Sequence, residues 1–551
     1  MKMGKIVWVF VLVTTLMIGG MGASFEKNGK RERTIEVGIH HAKLGMDLCK
    51  NVNVAERLEK PADKMFMANL GIDVQVTSGE GLDVQPAIAS DGAGDILLGY
   101  IGDLGGGEYN AIFISSTDGG NTWSEDYAAW MITTPEYPSV DYWGAGTKFY
   151  GTMVPNPQAS DGSELYIMQC TDPADFENGY SLVYWTWNDV GSGYTNFKSV
   201  DIGCDNGVED WAYGGVAIIG DHGSGLEETP FFSYQCTEEG VAWIYYFTSP
   251  DDPFTLEHCQ VAAMDIDHAT HIAYPMWNYY NEQTGVYDIY YYKFDFGTWD
   301  EYQGYPIHPD IRGGFINDSA VNNEYIDVSV YNDNVIIVCE TDEYGSKDIT
   351  CYYSFDGLDT VETSTIAATP DDELYPKVIH TGDREALCIF VKNGNLYLTK
   401  TEDGGATWSE PEMLNDEEGS VSSEYHTADI CGIGAIWTDM RNGNADLYFD
   451  TFPVPILTTE ISGGFGVKAT VSNVGTATAE DVPWSIELSG GLILMGGKKE
   501  GTIPSLAPGE STTISSGLVL GFGKTTITVN VGGTISTASA FVLGPFVLGI
   551  K

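Results

Sequence analysis

Basic residues are scarce in this chain. Its 551 residues include 26 Lys+Arg against 79 Asp+Glu, a formal net charge of −53. Such a surface repels nucleic acid and anionic bilayers, which excludes both as main partners. The shortage is uneven: eleven of the 26 lie in residues 1–64, and no arginine occurs between residues 58 and 311. Cysteine is also sparse. There are nine, with no Cys-x-x-Cys pair, which argues against structural zinc. No EF-hand loop or Gly-Asp repeat marks a definite calcium site. Long apolar runs are missing apart from Ile6–Ile18, 13 residues against the roughly 20 of a membrane span.

That run follows Lys2 and Lys5 and precedes Gly19–Ser24. The arrangement predicts a signal peptide over residues 1–24, cut near Ala23, with a retained anchor as the alternative. The protein is therefore expected to be secreted or at the cell surface, with no membrane span in the mature chain. Residues 25–70, with the basic stretch Lys27–Arg33, read as a polar linker or propeptide. In an exported protein nine cysteines permit up to four disulfides and one free thiol. Cys339 with Cys351 and Cys388 with Cys431 are candidate pairs, Cys49 the odd one. Reduced core thiols are the alternative. Asn317-Asp318-Ser319 is the one clear glycosylation sequon, expected on a surface loop.

Against these absences stands one repetition. Ser116-Thr-Asp118-Gly-Gly120-Asn-Thr-Trp123 and Thr401-Glu-Asp403-Gly-Gly405-Ala-Thr-Trp408 share the pattern Ser/Thr-x-Asp-Gly-Gly-x-Thr-Trp. Each follows an alternating aromatic run that reads as a strand. The aspartate suits an Asx-type turn, and the glycines permit backbone angles a side chain would block. Weaker copies end at Asp172, Asp251, Asp295, Asp356 and Asp450. Most steps fall near 40–50 residues, the period of a four-stranded propeller blade. The longest step, 79 residues between Asp172 and Asp251, predicts an insertion around Gly191–Gly207.

The octapeptide resembles the Asp-box of the sialidase-like (BNR repeat) β-propellers, over roughly residues 80–452. The resemblance implies an all-β fold: a β-propeller over residues 71–453, seven blades expected and six the alternative. Ile72–Ser78 is placed to supply the missing outer strand of the last blade, leaving no open edge. Composition shifts after Pro453-Val-Pro455. Aromatics thin while Gly, Thr, Ser and Val rise, and short alternating strands are separated by turn residues. Residues 454–551 read as a small immunoglobulin-like β-sandwich, similar to the CARDB modules of surface proteins.

The family's catalysts grip a substrate carboxylate with three arginines, one in an Arg-Ile-Pro motif before the first Asp-box, and use a Tyr/Glu nucleophile with an Asp acid/base. No such motif occurs here. The propeller region holds only Arg312, Arg384 and Arg441. A different pattern repeats instead: a carboxylate beside an aromatic just before each expected innermost strand. Instances are Glu136-Tyr137, Glu209-Asp210-Trp211, Glu324-Tyr325, Glu373-Leu374-Tyr375 and Glu424-Tyr425-His426. Propeller geometry places these at the central channel mouth, with Asp103, Trp277, Glu340, Asp342 and Asp439 reaching the same face from the following loops. Aromatic faces with carboxylates suit neutral sugars, amines or Ca²⁺. Packing positions with solvated acids are the bland alternative.

Three functions follow as expectations. One is an exported, non-catalytic propeller that binds a glycan or cation at the cell surface. The second is a sialidase-like glycoside hydrolase with a divergent site, drawing on Glu324, Tyr325, Glu424, Tyr425, Arg312, Arg441 and Asp439. The third is a self-assembling surface-layer or filament block. On the first reading the ligand-contacting candidates are Glu136, Tyr137, Asp210, Trp211, Trp277, Glu340, Tyr375 and His426.

Overall fold

A computed structural model describes the backbone of residues 37–42 and most of residues 71–550. The segments 104–108, 131–135, 144–147, 155–163, 174–179, 187–193, 207–211, 249–255, 301–304, 307–311 and 317–320, and shorter ones elsewhere, fall outside the described residues. So do the expected signal peptide, Cys49, Glu209, Asp210, Trp211 and the sequon at Asn317.

The chain is all-β: a seven-bladed β-propeller followed by a β-sandwich. Blade 1 runs Asp83–Ser90, Ile96–Asp103, Tyr109–Ser116 and Ala128–Trp130, each strand antiparallel to the next. Blade 2 opens with Glu136–Trp143, blade 3 with Tyr194–Asn206, blade 4 with Cys259–Ala263, blade 5 with Glu324–Tyr331, blade 6 with Glu373–Gly382 and blade 7 with Ala428–Cys431. Blade 7 has three strands of its own. Val74–Gln75 adds the fourth by pairing with Asp446–Thr451, so the ring closes N-terminus to C-terminus. Closure removes the sheet edge that an open ring would expose.

Two expectations about blade 3 change. Residues 194–206, where an insertion was expected, form its 13-residue innermost strand. The aromatic run before Asp251 is the blade's fourth strand, Val241–Thr248; the third is Leu226–Glu238. The 79-residue step therefore came from a mark placed one strand too far out. Val37–Ala42 extends this blade as a fifth strand.

Both octapeptides fold as one hydrogen-bonded turn. Asp403 Oδ1 accepts the Thr407 amide at 2.8 Å, and its Oδ2 accepts the Thr407 hydroxyl at 2.7 Å. Thr401 Oγ1 donates to Asp403 Oδ1 and accepts the Gly405 amide. The first octapeptide repeats these bonds, Asp118 with Ser116 and Thr122, and Ser116 Oγ accepting the Gly120 amide. Asp356 repeats them with Ser354 and Thr360, and Ser354 Oγ accepts the Leu358 amide, in a copy whose second glycine is lost. Gly120 is required for space: a Cβ there would clash with the Phe449 ring. Trp123 packs edge-on to the same Phe449, 5.7 Å away on blade 7, against the core shared by blades 7 and 1. Trp408 likewise joins a core shared by blades 5 and 6.

The described cysteines are free thiols, which corrects the disulfide expectation. Register explains it. Cys339 stands opposite Thr350, and Cys351 opposite Val338, so the two sulfurs lie on opposite faces of their sheet. Cys339 joins the core against blade 4 and Cys351 the core against blade 6. Cys388 and Cys431 are equally buried.

The sandwich packs Leu457–Ser462, Lys468–Asn473 and Ser511–Ser515 over a larger sheet built on Ala479–Ser489, Leu520–Val531 and Thr534–Gly544. Its core is aliphatic. Ile456 anchors it to the propeller by joining the core between blades 7 and 1.

Candidate functional site

A repeated backbone device builds the channel mouth. At the start of each innermost strand one residue adopts positive φ: Gln85, Tyr137, Asn196, His258, Tyr325, Tyr375 and His426. Strand register shifts beside this residue in blades 1 to 6. Such bulges bend a strand and re-aim its side chains. Here they bring tyrosines from separate blades together. Tyr425 lies 5.3 Å from Tyr137, 4.8 Å from Tyr325 and 5.7 Å from Tyr375 between ring centres. Tyr325 and Tyr375 meet edge to face at 5.0 Å, and His426 lies 5.8 Å from Tyr137. Blades 2, 5, 6 and 7 thus share one aromatic cluster.

Side-chain oxygens hold this geometry from the preceding blade. Gln85 Oε1 accepts the Tyr137 amide, Gln260 Oε1 the Tyr325 amide, and Glu340 Oε1 the Tyr375 amide at 2.7 Å. Deeper in the channel, aspartates repeat the tether. Asp141 accepts the Cys204 amide, Asp201 that of Met264, Asp265 that of Val330, Asp327 that of Val378 and Asp429 that of Ile88. Each bond joins one innermost strand to the next around the ring.

A cavity of about 170 Å³ lies along the axis, lined at one end by Tyr137, Tyr425 and His426. Lys377 enters it and pairs with Asp327 at 3.1 Å, with Asp201 and Asp429 also within its field. Burial raises the Asp201 carboxyl to about 6 and Asp429 to about 7; Lys377 opposes both shifts. Burial also lowers His426 to about 3, with Lys377 adding to it, so the imidazole is neutral. Tyr325 is pushed up to about 12, chiefly by burial. The tyrosines are therefore neutral hydroxyl donors at ordinary pH.

The other candidates fall in different places. Glu136 and Glu424 are exposed at the mouth. Glu324 pairs with Lys347. Glu340 is 1 % exposed, and its pKa of about 7 comes from burial, so a substrate has no route to it. Trp277 is a correction: it is fully buried, in the core shared by blades 3 and 4, where its indole donates to the Ile218 carbonyl. Asp439 is another. It is buried and bonded to Ser420, Trp437 and Arg441. Arg441 also pairs with Asp73 at 2.6 Å and covers the Tyr448 ring at 4.0 Å. That places it toward the outer strands of blade 7. Arg384 covers Phe355 at 4.0 Å beside an octapeptide turn, its carbonyl accepting the Gly404 amide. Arg312 begins the outer strand of blade 4, opposite Lys293. The three arginines stand on three separate blades.

Sequence reasoning missed Lys377, Gln85, Gln260 and the ring of channel aspartates. The only signal available was a polar residue recurring within apolar innermost strands, such as Asp327 in Glu324–Tyr331. Among the described residues no three Asp, Glu, His or Cys side chains converge as a metal site. No helix among them is long and apolar enough to cross a membrane.

No protein-family model matches this chain, and no curated protein matches it. Solved structures give distant likenesses. A mutant NanB sialidase from Streptococcus pneumoniae has 12 % identity and TM-score 0.34, over 72 % of this chain and 70 % of that one. Trypanosoma rangeli sialidase has 11 % identity and TM-score 0.32, over 92 % and 89 %. An acylaminoacyl peptidase from Pyrococcus horikoshii has 9 % identity and TM-score 0.35, over 71 % and 58 %. The fold rests on the strand pairings.

Proposed function

We propose that this is an exported, non-catalytic β-propeller that binds a neutral glycan at the cell surface through its channel mouth. The carrying observation is the meeting of Tyr137, Tyr325, Tyr375 and Tyr425 from four blades. Aromatic faces pack on the C–H surface of a sugar, neutral phenols hydrogen-bond its hydroxyls, and the exposed carboxylates of Glu136 and Glu424 accept further ones. An organic cation is the alternative ligand for the same aromatic faces. The acidic body disfavours a sialylated or otherwise anionic ligand. Commitment of Arg441 to Asp73 and Asp439 weighs against the sialidase-like alternative, which needs that guanidinium free.

Calorimetric titration with neutral oligosaccharides, sialyllactose and a quaternary amine, with and without Ca²⁺, tests this reading. Neutral-glycan binding that falls at least tenfold in Tyr325→Ala is the expected result. Binding confined to sialyllactose, or unaffected by Tyr325→Ala, contradicts it.

A further inference from the structure

The larger sheet of the sandwich has two different halves on its outward face. Along Leu520–Val531 the odd residues from Gly521 to Val531 point into the core and the even ones point out. At one end the outward residues are Thr526, Thr528 and Asn530, paired across the next strand with Ser539, Thr537 and Ile535. At the other end they are Leu520 and Phe522, with Phe522 matched by Leu543, and between the two ends Lys524 stands opposite Phe541. Phe546 and Leu548 continue the apolar half on one side through their pairing with Leu543 and Phe541, and Phe465 extends it by pairing with Phe546. On the other side Leu492 pairs with Phe522.

These side chains are well exposed: Phe465 and Phe522 at 60 %, Leu492 at 59 %, the other five at 36–49 %. They also touch one another, Phe522 on Phe541 at 5.4 Å and Phe465 on Phe546 at 6.1 Å. At roughly 175 Å² for a whole large apolar side chain, the eight at these exposures present about 700 Å². That exceeds the ~300–600 Å² of an ordinary monomer's largest patch. It approaches the ~800 Å² per partner of a standard interface.

We infer that this apolar half-face is the contact between two copies of this chain, packed isologously about a two-fold axis. Charge narrows the occupant. Residues 71–453 carry 66 Asp or Glu against ten Lys or Arg, whereas residues 454–551 carry six against five. Two propellers repel each other, so the near-neutral sandwich is where two copies can touch at low electrostatic cost. The same acidic propeller holds an anionic bilayer away. A two-fold contact uses the same patch on both copies, so one apolar half-face serves both sides.

Sedimentation velocity of the full-length chain tests this. The expected result is a dimer at about 10 µM that tightens with added salt, as repulsion between propellers is screened. Phe522→Lys with Leu543→Lys is expected to give a monomer, while Thr528→Lys on the polar half keeps the dimer. Leu548→Ser, a milder change on a terminal three-residue strand, is expected to weaken dimerisation at least tenfold with an unchanged melt. A wild-type monomer up to 100 µM overturns the inference, whether or not it binds neutral lipid vesicles. So does a dimer that survives both the lysine pair and Leu548→Ser.

Discussion

Lys377→Met removes the cation from the channel and leaves its carboxylates facing one another. The lysine sits 3.1 Å from Asp327, and Asp201 and Asp429 feel its charge. Breaking a buried ion pair from one side costs about 3–5 kcal/mol. The side chains of Lys377 and Asp327 are 22 % and 12 % exposed, so channel water screens part of this, and about 2–4 kcal/mol is the working figure. Near 380 residues of propeller unfold with roughly 0.8 kcal/mol/K of entropy, so the melting temperature falls by about 3–5 °C. The loss depends on pH. Asp201 and Asp429, at about 6 and about 7, are charged at pH 8 and largely protonated at pH 5. The deficit is therefore expected to be full at pH 8 and at most half as large at pH 5. Differential scanning calorimetry of wild type and variant at both values reads it. A deficit equal at the two pH values, or none at pH 8, refutes the reasoning about channel charge.

Wild-type stability is expected to decline as pH rises from about 4 to about 7. Burial raises Asp83 and Asp201 to about 6 and Glu340, Asp429 and Asp450 to about 7, so the folded state binds these protons more tightly than the unfolded chain; buried His380 and His426, lowered to about 3, act in the opposite direction but are two groups against five. A melting temperature that climbs over that window contradicts it. Asp403→Ala strips three hydrogen bonds from one octapeptide turn and is expected to cost about 1–3 kcal/mol, read by urea titration. A cost below about 0.5 kcal/mol would show that the turn depends on its glycines alone. The seven described cysteines are expected to react with a thiol reagent only after unfolding, without prior reduction; a requirement for reductant would restore the disulfide reading.

The scaffold was more legible than the site, for physical reasons. The octapeptide is local, since all its defining bonds span four residues or fewer, so spacing alone located it. Ring closure through Val74–Gln75 was foreseen because the last blade lacked a strand and alternating residues stood ready upstream. The mouth depends on long-range pairing. Tyr137 and Tyr425 are nearly 300 residues apart, and a bulge with positive φ aims Tyr137, a conformation that its sequence does not announce. Trp277 was misplaced because it read as part of the loop after a strand, whereas it lies inside the strand Met276–Asn281, where side chains pack between blades. Lys377 was overlooked because a lysine in a strand ordinarily reads as solvent-facing; only the closed ring turns it toward the axis.

The central claim is that this propeller binds at a tyrosine-lined mouth and does not turn over a glycoside. Incubation of the full-length chain with fluorogenic sialosides and neutral glycosides, followed by product release, tests it most directly. The account predicts no release above the uncatalysed rate. Turnover that is abolished by Glu324→Gln or Glu424→Gln would contradict it.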